Sequence, residues 1–180
     1  VATDVTVTRA DRVDLPEIAR LARVIWHAHY PGIISGEQIA YMLDRMYAMD
    51  RMEEEMERGG VRYYVARRSH IALGFAASGP TPAAREYKLH KLYVLPESQR
   101  QGIGRALLDR VCEDLRQLGG QTLVLAVNKR NAAALAAYRR YGFQERGGAR
   151  VDIGGGFVMD DFILAARLDA TGEPGPPGRP

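Results

Sequence analysis

The residues best suited to chemistry begin with Gln99-Arg100-Gln101-Gly102-Ile103-Gly104. This stretch follows Leu92-Tyr93-Val94-Leu95, whose β-branched and aromatic content predicts a strand, and precedes Arg105–Val111, which predicts a helix. Two glycines in a strand-to-helix turn let backbone approach a ligand without interference from Cβ. The helix start adds N–H groups lacking intrahelical partners, backed by the positive end of the macrodipole, and that combination binds phosphate. Arg100 and Arg105 either add charge there or are solvated surface groups. The dinucleotide fingerprint fails, because Leu107 stands where its third glycine belongs, and the nucleoside-triphosphate loop is absent. What fits is [QR]-x-x-G-x-[GA], met by Gln99, Gly102 and Gly104; an ordinary strand-to-helix turn would fit as well. His27 and His29 cannot share a metal ion, since helical residues two apart diverge. Cys112 lies on an apolar helix face with no histidine partner and reads as a small core residue.

A second stretch, Asn131 to Phe143, follows a strand about one βα unit later. It carries N-x-x-A-x-x-x-Y-x-x-x-G-F at Asn131, Ala134, Tyr138, Gly142 and Phe143. The two patterns, in this order and spacing, resemble the GNAT superfamily of acyl-CoA-dependent N-acetyltransferases. The motif-bearing region runs from Leu89 to Phe143; elsewhere the agreement is one of element order.

The resemblance implies a site. Gln99, Arg100, Gln101, Gly102, Ile103, Gly104 and Arg105 would hold the pyrophosphate of acetyl-CoA, a co-substrate, with no metal. Leu92, Tyr93 and Val94 would face the pantetheine arm where their strand parts from Leu123–Val127, and a backbone N–H near Leu92 would polarise the thioester carbonyl. Tyr138 sits at the family position of the acid that protonates the departing thiolate; its spacing with Leu135 and Tyr141 is also that of a packed aromatic. Asn131 is either a coenzyme contact or a plain helix cap. A lysine-like acceptor costs about 4–5 kcal/mol to neutralise at pH 7, so a base is expected. His90 and Glu86 are the candidates on or beside the strand leading to the site. The acceptor pocket would draw on Trp26 and Tyr30 between the first two helices and on Asp152 near Gly154-Gly155-Gly156. With Asp160 and Asp161 that makes three carboxylates, suited to a small cationic amine. The chain also resembles a bacterial branch that includes polyamine acetyltransferases. The alternatives are a protein N-terminal or lysine acetyltransferase, and a non-catalytic acyl-CoA-binding regulatory module.

The elements that must position these residues follow from periodicity. Val5–Arg9 alternates as a strand; Asp14, Pro16 and Glu17 open a helix as cap, first turn and third position. Ser35-x-x-Gln38 is a capping box for a second helix, and Asp50 caps a third over Met52–Arg58. Three strands follow, over Val61–Arg68, Ile71–Ser78 (with Gly74 as its bulge) and Glu86–Leu95. A helix over Gly102–Leu118, an apolar strand over Thr122–Val127, an Ala-rich helix over Asn131–Tyr141 and a final pair of strands complete the order. The expectation is an α+β fold: a mixed, mostly antiparallel sheet flanked by helices, with one β-α-β crossover carrying the coenzyme-binding loop.

A chain of 180 residues with 46% apolar content supports one domain with a real core, placed over 1–169. The remaining residues, 170–180, form a Pro/Gly tail expected to be disordered. A net charge of +3 is too mild, and its arginines too dispersed, for nucleic-acid binding. One cysteine, no apolar run of membrane-spanning length and no leader pattern point to a cytoplasmic protein with no membrane partner. The partner expected is a small-molecule or peptide amine. Exposed strand edges near the C-terminus leave room for a homodimer.

Overall fold

The computed structural model describes residues 4–168, so the Pro/Gly tail lies outside the described residues. The strands are β1 (Val5–Arg9), β2 (Arg62–Arg68), β3 (Ile71–Pro80), β4 (Glu86–Val94), β5 (Thr122–Asn128), β6 (Gln144–Gly154) and β7 (Phe157–Arg167). The helices are α1 (Leu15–His29), α2 (Gly36–Met46), α3 (Met49–Glu57), α4 (Ile103–Gln117) and α5 (Ala132–Tyr141). One sheet runs in the order β1-β2-β3-β4-β5-β7-β6; the β1–β2, β2–β3, β5–β7 and β6–β7 pairs are antiparallel, and the β4–β5 pair that α4 connects is parallel. This is the expected α+β class. The described residues form two compact units, one of residues 4–79 with His90–Val111, the other of Pro80–Leu89 with residues 112–168.

In the first unit α1 buries Leu15, Ile18, Leu21, Ala22, Ile25 and Trp26, the stripe its sequence spacing prescribes. Its start differs from the prediction. Asp14 makes no side-chain cap; Asp11 caps a short 3-10 turn, accepting from Val13 N–H at 2.9 Å, while Asp14 accepts from Asp11 N–H at 2.9 Å. Arg67 explains the shift, since its guanidinium donates to Asp14 and Glu17, each at 2.7 Å. Ser35 caps α2 as expected, its hydroxyl accepting from Gln38 N–H. α3 begins earlier than predicted, after Ala48, which places Asp50 inside its first turn. In β3 the extra residue is Leu73: Gly74 pairs with Ala66, and Ala72 pairs with Arg67. Gly74 answers a different need, because a Cβ there would lie 2.6 Å from the Tyr93 carbonyl oxygen.

In the second unit β5 is buried on both faces through Leu123, Val124, Leu125 and Val127. It pairs with β4 from Glu86–Thr122 to Leu89–Leu125 and with β7 from Thr122–Arg167 to Asn128–Asp161. β6 and β7 form a hairpin through Gly154, Gly155 and Gly156, all at positive φ, where L side chains are strained. Gly142, at φ +106, ends α5.

Candidate functional site

The turn before α4 is braced by its own side chains. Gln99 donates to the Val94 carbonyl at 3.3 Å, Gln101 donates to the Glu97 carbonyl at 3.1 Å, and Arg68 donates to Gln101 Oε1 at 2.9 Å. Gly102 and Arg100 both adopt left-handed backbone, at φ +81 and +59. Ile103 is buried and anchors the first turn. The first helical bond runs from Ala106 N–H to the Gly102 carbonyl, so the amides of Ile103 and Gly104 precede it. A Cβ on Gly102 would meet nothing within 4 Å, and one on Gly104 only Val94 Cγ2 at 3.8 Å. The turn therefore presents backbone amides on a face with room for a ligand. Arg100 is exposed, and Arg105 pairs with Asp109 at 3.6 Å.

Beyond Leu89, β4 runs from His90 to half-buried Leu92, Tyr93 and Val94. His90 is exposed, and its imidazole lies against Gly79, where a Cβ would sit 3.3 Å from Nε2. Leu92 and Val94 follow it by alternation. Tyr93 points the other way, its hydroxyl 3.1 Å from that of Tyr30. Trp26 packs on Tyr30 and Tyr93 with ring centroids 4.6 and 5.7 Å away, and is 1% exposed. The structure thus brings Tyr30, Tyr93 and Trp26 together, with Trp26 as the buried floor under two half-buried phenols.

Between Leu89 and Tyr93, on the same buried face, stands Lys91, 3% exposed. Its ammonium donates to Glu55 Oε2 at 2.8 Å and Tyr63 Oη at 2.8 Å, and Tyr63 donates to the same carboxylate oxygen at 2.5 Å. The Tyr47 and Tyr63 rings lie 5.6 and 5.0 Å from the ammonium, within cation–π range. Burial pushes the ammonium below its ordinary pKa against the pull of Glu55. Burial pushes Glu55 up, but Lys91 and Tyr63 overcome it and hold the carboxyl below the usual range. Tyr63 is pushed up by burial and by its bond to Glu55. Sequence reading missed this trio; the available signal was a lysine in the period-two register of Leu89 and Tyr93.

In the second unit Tyr138 is half-buried, its ring edge-on to Phe143 at 5.6 Å. Asn131 Oδ1 accepts from Ala134 N–H at 3.2 Å, which makes it the N-cap of α5. Glu86 is engaged: Arg146 forms an ion pair with it and Thr81 donates to it at 3.0 Å. The bond to Arg146 holds its carboxyl below the usual range and so works against a base role. The three carboxylates do not converge on the glycine turn. Asp152 accepts from Gly154 N–H at 2.8 Å, Asp160 pairs with Lys129 at 2.6 Å, and Asp161 points to the opposite sheet face from Asp160. Among the described residues no group of His, Cys, Asp or Glu is arranged to hold a metal, and no helix is long and apolar enough to cross a membrane.

The sequence profile described as "Acetyltransferase (GNAT) family" matches residues 24–143, two thirds of the chain. The protein belongs to the GNAT family. Within it, the chain is similar to the [ribosomal protein bS18]-alanine N-acetyltransferase of Escherichia coli, 47% identical over 60 residues, which are 33% of this chain and 40% of that protein. The chain thus aligns with about two fifths of that relative's length. It is 30% identical over 135 residues to an uncharacterized N-acetyltransferase of Bacillus subtilis, covering 73% of this chain and 76% of that one. Its fold matches that of the PaiA N-acetyltransferase of Thermoplasma acidophilum, solved with coenzyme A. The TM-score is 0.77 at 23% identity, with 91% of this chain and 99% of that one covered. The matched range spans both Gln99–Gly104 and Asn131–Phe143.

Proposed function

We propose that this GNAT-family chain is an acetyl-CoA-dependent N-acetyltransferase that acts on a primary amine by direct attack in a ternary complex. The observation that carries the reading is the open amide face at Gly102 and Gly104. A diphosphate suits it, because the amides of Ile103 and Gly104 can donate to phosphate oxygens and the helix dipole favours the charge. Exposed Arg100 and Arg105 add positive potential, while Gln99 and Gln101 hold the turn's shape. Bound acetyl-CoA supplies the activated acyl group; all else falls to the chain. The backbone N–H near Leu92 donates to the thioester carbonyl as charge builds on it. Tyr138 gives the departing sulfur its proton. His90 is the better placed of the two predicted bases, since Glu86 is committed to Arg146. Tyr30, Trp26 and Asp152 are assigned to the acceptor side.

Two acceptors are supported by different observations. The match to the bS18-alanine enzyme favours the α-amine of an alanine-initiated chain. The sequence resemblance to a branch that includes polyamine acetyltransferases favours a small cationic amine such as spermidine. The test is calorimetry with coenzyme A, followed by thiol release from acetyl-CoA with spermidine and with an alanine-initiated peptide. Coenzyme binding and turnover of at least one acceptor are expected, and the ratio of their kcat/KM values decides between them. No coenzyme binding refutes the reading. Acetylated protein accumulating before acceptor is added refutes direct attack.

A further inference from the structure

We propose that Lys91 is a positioning residue: held by Glu55 and Tyr63, it aims the Leu92 amide that donates to the thioester carbonyl. This rests on the N-acetyltransferase reading and deepens it by naming what fixes that N–H. The link is covalent, because the Leu92 nitrogen closes the peptide bond that begins at the Lys91 carbonyl carbon. A shift of the Lys91 Cα therefore carries the donor with it. Pairing of β4 with β5 ends at Leu89, so the β5 edge of the reacting stretch is not held by a ladder.

Lys91, Glu55, Tyr63 and the Gln99–Gly104 turn all belong to the first compact unit. The ammonium donates to Glu55 Oε2 and to Tyr63 Oη, each at 2.8 Å, and so engages α3 and β2 at once. Glu55 is steadied in turn by the Tyr63 hydroxyl and by Arg51 at 3.3 Å. On the other side of Leu92, the Tyr93 carbonyl lies against Gly74, where a Cβ would be 2.6 Å away. The turn then closes on the same strand: Gln99 donates to the Val94 carbonyl at 3.3 Å, and a Cβ on Gly104 would meet Val94 Cγ2. The Leu92 amide thus stands between a fixed side chain and a fixed carbonyl, two residues from contacts with the turn.

Stability alone does not call for a lysine here. The side chain is 3% exposed, and a buried ion pair is commonly matched or bettered by apolar side chains of similar volume. What the pair adds is direction, because charge-assisted hydrogen bonds fix distance and angle where a methylene contact lets a strand slide. An oxyanion donor needs that precision. Its N–H must meet the oxygen at about 2.7–3.1 Å, and a misplacement of about 1 Å costs on the order of 100-fold in rate.

Lys91→Met and the double variant Lys91→Met with Glu55→Gln test this in the full chain, with spermidine and the alanine-initiated peptide as acceptors. Both should bind coenzyme A within about threefold of wild type and keep the amine KM within about threefold, while kcat falls by roughly 10–100-fold. The double variant no longer buries a carboxylate that has lost its ammonium, so it should melt closer to wild type than K91M and yet stay as slow. A lysine with a structural role alone predicts the reverse, activity returning with stability. Isotope-edited infrared spectra of bound acetyl-CoA, taken without acceptor, give a readout independent of turnover. The thioester carbonyl band should lie below its free-solution frequency in wild type and move back towards it in both variants. Should K91M be too unstable to assay, the double variant carries both readouts. A double variant with kcat within about threefold of wild type, or with the carbonyl band where wild type has it, overturns this inference alone. A wild-type chain that binds no coenzyme A overturns the transferase reading and this inference with it.

Discussion

At the scale of single residues, Gly104 separates two requirements that usually coincide. Its backbone is not left-handed, and an added methyl would meet only Val94 at an ordinary contact distance of 3.8 Å. Gly104→Ala should therefore fold at least as well as wild type, since alanine gains up to ~1 kcal/mol within a helix. The methyl would nonetheless stand on the open amide face, and coenzyme A affinity should fall by about tenfold or more, read by calorimetry beside a thermal melt. Gly102, at φ +81, should behave oppositely, losing stability when replaced. Tyr138→Phe keeps the ring that packs on Phe143 and removes only the phenol proton. Coenzyme affinity should hold while kcat drops by roughly 10²–10³-fold. The turn and the helix that carry these residues were legible in sequence because their conformations are set locally. The ion pair of Glu86 was not legible, because its partner Arg146 is 60 residues away.

At the scale of elements, the Lys91–Glu55–Tyr63 trio ties β4 to α3 and β2 just before Leu92. Lys91→Met should cost about 1–3 kcal/mol in urea unfolding, because it strips the buried ammonium from Glu55 and leaves that carboxylate with Arg51, at 3.3 Å, as its remaining cation. Adding Glu55→Gln should recover a substantial part of that loss, and a double-mutant cycle measures it. Pattern recognition could not find this lock, since Glu55 sits in an acidic helix that reads as solvated. The start of α1 shows the same limit from another side. Asp11 with Asp14, and Asp14 with Glu17, are overlapping cap patterns; Arg67 on β2 chose between them by taking Asp14 and Glu17. Likewise Gly74 was recognised as special, but the Tyr93 carbonyl that demands it lies on another strand. Element order, by contrast, was fully readable, because periodicity and breakers are written along the chain.

For the whole molecule, acid response follows from the carboxylates with displaced pKa values. Glu55 and Glu86 both lie below their ordinary range when folded. Each adds stability that is present above the unfolded value near ~4.3 and is lost as pH falls through the folded one. Thermal midpoints should therefore decline below about pH 4–5, and Glu86→Gln should flatten that decline. Asp161 is raised by burial and acts in the opposite sense, so D161N should steepen it. The GNAT fold, legible from two motifs and an element order, accounts for the broad architecture. The acceptor's identity was not legible, since an acceptor pocket is assembled from segments far apart in the chain.

β6 ends the sheet, and its pairing with β7 slips twice, between Glu145 and Gly147 and again between Asp152 and Gly154. Each slip turns the outer rim, so the straight run between them is only six residues, Gly147 to Asp152, with Arg150 at its middle. A stray strand from a neighbouring molecule would find too short and too charged a template to zip along, which protects the chain against runaway polymerisation at high concentration.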